Sequence, residues 1–170
     1  MAAKPAAAIG KTTGSPTTAP AQVAYEVAVS DEQCAGRDLW FARRFAAEHG
    51  NDLKYVGDWR AWVAWQPDEG RWVRDDGTTA FSCAKTTQAR LLLEANAIEL
   101  AEPRAAGLKA AIRFCDRHPL ESALKLAQSE AAVRAKPSDW DSHPHLLNCA
   151  NGTVDLRTGD LLPHDRKHRL

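Results

Sequence analysis

The stretch Leu146-Leu147-Asn148-Cys149-Ala150-Asn151-Gly152-Thr153-Val154-Asp155-Leu156-Arg157-Thr158-Gly159-Asp160-Leu161-Leu162-Pro163-His164 decides the fold. Asn151-Gly152 is a tight-turn pair, because both residues tolerate positive φ. Val154 and Leu156 alternate with polar neighbours, as in a strand that buries one face. Arg157-Thr158-Gly159-Asp160 fits a second short turn with Gly159 in the left-handed position, and Leu161-Leu162 returns. The predicted unit is a β-hairpin whose register is fixed by its glycines. The segment carries turn chemistry and no cluster of nucleophiles, so the hairpin over Asn148–Pro163 is expected to be structural and not catalytic.

Working back along the chain, Lys136-Pro137-Ser138-Asp139 reads as a loop, followed by Trp140-Asp141-Ser142-His143-Pro144. Before it come three helical patterns. Leu120, Ala123, Leu124, Ala127 and Ala131 mark one face through about Arg134, with Pro119 suited to the first turn. Leu108, Ala111, Ile112 and Cys115 mark another, over about Arg104–Arg117. Leu91, Leu92, Leu93 and Leu100 mark a third, which Thr78 or Thr79 caps and Glu102-Pro103 ends.

Further upstream the period changes. Trp59, Ala61, Val63 and Trp65 alternate with Arg60, Trp62, Ala64 and Gln66, which predicts a strand. Pro67-Asp68-Glu69-Gly70 is turn chemistry, Arg71-Trp72-Val73-Arg74 is a second strand, and Asp75-Asp76-Gly77 closes it. Tyr55-Val56 precedes the pair across a turn at Gly57-Asp58. A helix over Cys34–Glu48 opens the domain, with Asp31 as its N-cap and His49-Gly50-Asn51 as its end. The expected fold class is α+β: a small antiparallel sheet and hairpins packed with about four helices.

Residues 1–30 are of another kind. They hold nine Ala, three Pro and four Thr and no hydrophobic periodicity. Burial cannot offset the ordering entropy of such a stretch, so it is expected to be a flexible, disordered linker before a domain over residues 31–170. Gly10-Lys11-Thr12 has the ending of a phosphate-binding loop. The first glycine of that pattern falls on Pro5, and neither strand nor helix flanks it, so no nucleotide site is expected there.

Composition sets outer limits. The 170 residues carry 22 Lys plus Arg against 22 Asp plus Glu, so any nucleic-acid surface must be local rather than a basic coat. No apolar run approaches the roughly 20 residues that span a bilayer. Cys34, Cys83, Cys115 and Cys149 form no CxxC pair, which excludes a zinc ribbon; they read as reduced thiols packed as small apolar groups in a cytosolic protein.

Candidate chemistry is sparse. Lys109, Arg113 and Arg117 recur every four residues, so they form one stripe on a helix, either phosphate contacts or a solvated face. Arg166, Lys167 and Arg169, with His168 between, are a basic end that either meets DNA or is a solvated terminus. Trp59, Trp62, Trp65 and Trp72 could each stack on single-stranded bases or build a sheet core, and Trp59 and Trp65 are assigned to the core. Trp62 lies on the opposite face beside Arg60 and is the candidate for stacking on single-stranded bases. His143, His145 and Cys149 match no common zinc spacing, so no metal is expected. No catalytic arrangement follows from spacing.

Read as one pattern, N-x-x-N-G-x-x-D-L-x-T-G-x-L-x-P-H falls on Asn148, Asn151, Gly152, Asp155, Leu156, Thr158, Gly159, Leu161, Pro163 and His164. It resembles the end of the N-terminal domain of poxvirus-type primase–helicases of phages and plasmids, the region before a superfamily 3 helicase domain. Phe41-Ala42-Arg43-Arg44-Phe45, His49-Gly50, Tyr55, Trp62-Val63-Ala64-Trp65 and Arg71-Trp72 resemble the start of that domain. The resemblance covers about residues 39–170, the middle helices matching in character only.

The resemblance implies an accessory domain in DNA replication that supports DNA engagement or assembly of the helicase ring. In such proteins a primase or primase–polymerase domain and a linker come first, and a superfamily 3 ATPase follows. The chain has neither a Walker motif nor a primase carboxylate cluster, so it is expected not to be an enzyme alone. It is expected to be cut off before the ATPase, to which ATP and Mg would belong, and to hold no cofactor itself. The implied partners are single-stranded or forked DNA through the parent protein, the ATPase domain, and further copies of the chain in a hexamer. No membrane is involved, and the setting is the cytoplasm of a bacterial host or phage-infected cell. Two other readings stand beside this one: a free-standing interaction module from a decayed prophage gene, and a small enzyme with an unrecognised site.

Overall fold

The alternation and helical spacing of residues 38–75 fold as a helix followed by a three-stranded meander. In the computed structural model, which describes residues 36–170, α1 spans Asp38–His49 and buries Phe41, Ala42, Phe45 and Ala46. The linker over residues 1–30, Asp31 as a cap, and Cys34 lie outside the described residues. Strands β1 (Leu53–Val56), β2 (Ala61–Gln66) and β3 (Arg71–Asp75) are antiparallel neighbours. Three helices follow: α2 (Thr78–Asn96), α3 (Ala101–Arg113) and α4 (Arg117–Ala127). The chain then returns as β4 (Arg134–Ala135), which lies parallel to β1 and gives the order β3-β2-β1-β4. The sheet is therefore mixed, where an antiparallel one was expected.

The helix boundaries differ from the sequence expectation for local reasons. The pattern expected to run from Arg104 to Arg117 breaks after Arg113, and Phe114 turns inward at the C-terminus of α3. Pro103 and Pro119 both sit in first turns, of α3 and α4, where a missing N–H removes no helical hydrogen bond. At the start of α2, Gly77 has no capping side chain. The carboxylate of Asp75 accepts from the N–H groups of Thr79 and Ala80 at 3.0 Å each, and Asp76 accepts from that of Thr78 at 2.9 Å. The paired aspartates thus satisfy N–H groups that every helix start leaves open.

The helices cover one face of the sheet. Phe41 and Phe114 stack with centroids 4.2 Å apart, and Trp62 meets Phe45 edge-on at 5.9 Å. Between α1 and α2, fully buried Thr87 donates to Glu48 Oε2 at 2.7 Å. Burial alone would raise the Glu48 carboxyl; hydrogen bonds from Arg44 and Thr87 outweigh it and hold the group below its ordinary range. The second face carries Val56, Val63 and Ala135, covered by Trp72 and Trp140.

Two expectations are corrected here. Alternation in β2 does divide the tryptophans between faces, but the helical core takes the Trp62 side, so Trp62 is only 7% exposed. Trp59 lies outside the strand, in the turn before it, and is 40% exposed. The cysteines also depart from a core reading: Cys115 is exposed, and Cys83 and Cys149 are half-buried.

The C-terminal hairpin forms and is extended to three strands: β5 (Leu146–Cys149), β6 (Gly152–Asp155) and β7 (Asp160–Leu162), in that order. Gly159 adopts φ +79° as its turn requires. The first turn is shifted by one residue. Cys149 pairs with Gly152, so Ala150-Asn151 is the loop and Gly152 already belongs to β6. A Cβ on Gly152 would lie 2.5 Å from the carbonyl oxygen of Leu162 on the neighbouring strand.

Candidate nucleic-acid interface

The second face of the main sheet and the C-terminal segment enclose a groove of about 520 Å³. Its walls are aromatic. Trp59, presented by the turn before β2, stands 5.9 Å from Trp140, and Trp140 meets Trp72 edge-on at 5.3 Å. Val63, Leu146 and Leu147 supply apolar lining, and Arg74 and Arg169 supply charge. Arg74 donates from Nη2 to the Trp59 carbonyl at 3.1 Å and meets no carboxylate at ion-pair distance among the described residues. Arg169 lies 5.8 Å from the Trp140 ring and pairs with Asp139 at 2.7 Å. A site with π faces and a neighbouring cation can hold a flat group joined to an anion.

The cations singled out in the sequence do not form one patch. Lys109 is exposed on α3. Arg113 closes that helix, pairs with Asp38 at 2.6 Å and donates to the Gly36 carbonyl at 3.0 Å. Arg117 starts the next helix and pairs with Glu121. The break between the helices dissolves the stripe expected of a single one. Arg166 pairs with Asp52, and its carbonyl accepts from Trp72 Nε1 at 2.9 Å. Lys167 is exposed. Arg166 and Arg169 thus clamp the C-terminal segment against the fold, while Lys109 and Lys167 make no ion pair among the described residues. Trp62 lies in the helical core, where a base has no access. The groove residues Trp140 and Arg74 were not singled out, and Trp59 was assigned to the sheet core. The available signal was Gly57-Asp58, whose turn extends through Arg60 and carries Trp59 out of the strand.

The residues of the C-terminal pattern hold the hairpin to the sheet. Asn148 Nδ2 donates to the Gly70 carbonyl at 3.1 Å, and its Oδ1 lies 3.0 Å from His164 Nδ1. Asp155 accepts from Arg157 three times: Nε and the backbone N–H reach Oδ1, and Nη2 reaches Oδ2 at 2.8 Å. The guanidinium and then the backbone N–H hold the Asp155 carboxyl at about 2, below its ordinary 3.8. A carboxyl lowered on folding stabilises fully above its unfolded pKa, and that stabilisation is lost as pH falls through the folded value. The Tm difference between wild type and Asp155→Asn is therefore expected to be widest near neutral pH and to close as pH falls from about 4 to about 2. A gap that stays constant on acidification would show that this carboxylate does not hold the turn.

Among the described residues no group of three or more His, Cys, Asp or Glu could hold a metal ion, although His143 and His145 lie 5.9 Å apart. None of the described helices is long and apolar enough to cross a membrane.

A helical layer on one face of a four-stranded sheet, with a three-stranded sheet and an aromatic groove at the other, defines an α+β domain. The chain belongs to the family described as D5 N terminal like, whose model matches residues 42–170. That family is associated with primase–helicase proteins of replication. No curated protein matches the chain.

Proposed function

We propose that this domain is an accessory part of a phage or plasmid primase–helicase and supports DNA engagement or assembly of the helicase ring. Family membership across residues 42–170 carries the reading. In it, single-stranded or forked DNA and a superfamily 3 ATPase domain are the partners, within a hexamer in the bacterial cytoplasm. ATP and Mg act on the ATPase, and this domain contributes surface rather than chemistry. Lys109 and Lys167, exposed and free of ion pairs among the described residues, are its best-placed phosphate contacts.

Fluorescence anisotropy with labelled oligothymidylate, over a salt series, tests the DNA arm. Binding that weakens linearly in log salt is expected. Lys109→Glu with Lys167→Glu is expected to lower the salt slope by about one per contact removed. An unchanged slope and affinity would exclude these lysines. No binding at low salt, together with no co-elution with a superfamily 3 ATPase domain, would reject the whole reading.

A further inference from the structure

We propose that the groove lined by Trp59 and Trp140 receives a base of single-stranded DNA, stacked on the open part of the Trp59 ring, with Arg74 meeting the adjoining phosphate. The inference rests on the DNA-engagement reading and gives it a specific site.

Several independent features converge on this groove. Trp59 is a large aromatic left partly open to solvent at its rim, while Trp62, three residues further along the chain, is buried. Arg74 is a cation without a carboxylate partner among the described residues, held against the Trp59 carbonyl beside the exposed ring. The indole N–H of Trp140 is buried without an acceptor, a donor left unmet in the groove wall.

The backbone is strained in the same place. Among the described residues, the non-glycine residues with positive φ are Arg60 (49°), Asp141 (51°) and Arg169 (50°). Arg60 follows Trp59, and Asp141 and Arg169 line the groove. Left-handed backbone outside glycine costs free energy and persists where the surroundings enforce it, commonly at ligand clamps. Here it turns Trp59 outward and seats Arg169 over Trp140.

The occupant follows from the chemistry of the walls. A volume of about 520 Å³ suits a small planar group rather than the face of a helix. Indole faces favour a π system of any sequence, and a guanidinium at the rim with no carboxylate partner among the described residues favours a phosphate. A base with its adjoining phosphate supplies both.

The test is the affinity of the full chain for labelled oligothymidylate at low salt, measured for wild type, Trp59→Ala, Trp59→Phe and Arg74→Ala. Circular dichroism and Tm check that each variant is folded. Loss of one stacked base is expected to weaken binding by Trp59→Ala about 5- to 150-fold. Trp59→Phe, which keeps a π face, is expected to retain most of the affinity. Arg74→Ala is expected to lower the salt slope by about one. Salt-dependent binding that is equal in wild type, Trp59→Ala and Arg74→Ala would overturn the groove and leave the DNA reading standing. Absence of binding by wild type would overturn both, a result distinct from the first.

Discussion

Replacing Phe114 by alanine is expected to lower the unfolding free energy by about 3–5 kcal/mol, a large share of the roughly 5–15 kcal/mol that holds a typical domain together. Phe114 is 1% exposed and lies where α3 stops, so its ring is surrounded by the core it enters. Stacking on Phe41 at 4.2 Å couples the end of α3 to α1, and Phe41 is itself fully buried. Truncation would leave a cavity between two helices that Leu120 and Ala111 cannot fill without moving both helices. Ile112, two residues earlier and 56% exposed, is the control: Ile112→Ala is expected to stay within about 0.5 kcal/mol. Urea denaturation of the two variants measures the contrast. Equal losses would mean that the helix presents a different face to the core.

That face shows what the sequence can and cannot convey. Leu108, Ala111, Ile112 and Cys115 form a consistent helical stripe on paper, yet Ile112 and Cys115 are exposed and Phe114 takes the buried place. A large aromatic at the helix end decides the rotation, and spacing alone does not rank it above its neighbours. The same limit applies to β2. Alternation separates Trp62 from Trp65 correctly, but both faces of the sheet are covered, so alternation does not say which one the helices choose. Strand β4 was invisible because two residues suffice when β1 supplies the pairing from far along the chain.

What was legible was local. The turn at Gly159, the turn before Arg71 and the first-turn position of Pro119 depend on a few adjacent residues and emerge as read. The groove was not legible, because Trp59, Arg74, Trp140 and Arg169 come from four separate segments. The basic residues misled for the complementary reason: sequence reports charge, and only the fold reports that Arg113, Arg166 and Arg169 are already engaged by Asp38, Asp52 and Asp139.

Gly70→Ala is expected to destabilise the domain strongly and to loosen its C-terminal segment in particular. Gly70 has φ +61°, a conformation that costs a residue with a Cβ about 1–2 kcal/mol. The added Cβ would also lie 2.1 Å from His164 Cγ, close to the root of the imidazole, where the ring cannot simply swing away. His164 would have to leave Asn148, and Asn148 would be drawn from the Gly70 carbonyl, at about 0.5–1.5 kcal/mol for each hydrogen bond lost. These contacts are what fasten the hairpin to the β2–β3 turn, so hydrogen exchange is expected to accelerate in β5 and over residues 164–170 more than in α1. His164→Ala placed in the Gly70→Ala background removes the collision and not the backbone strain. The double variant is therefore expected to regain part of the lost stability, leaving a deficit near the backbone term. A double variant no more stable than Gly70→Ala alone would mean that the turn, and not its contact with the imidazole, sets the requirement for glycine.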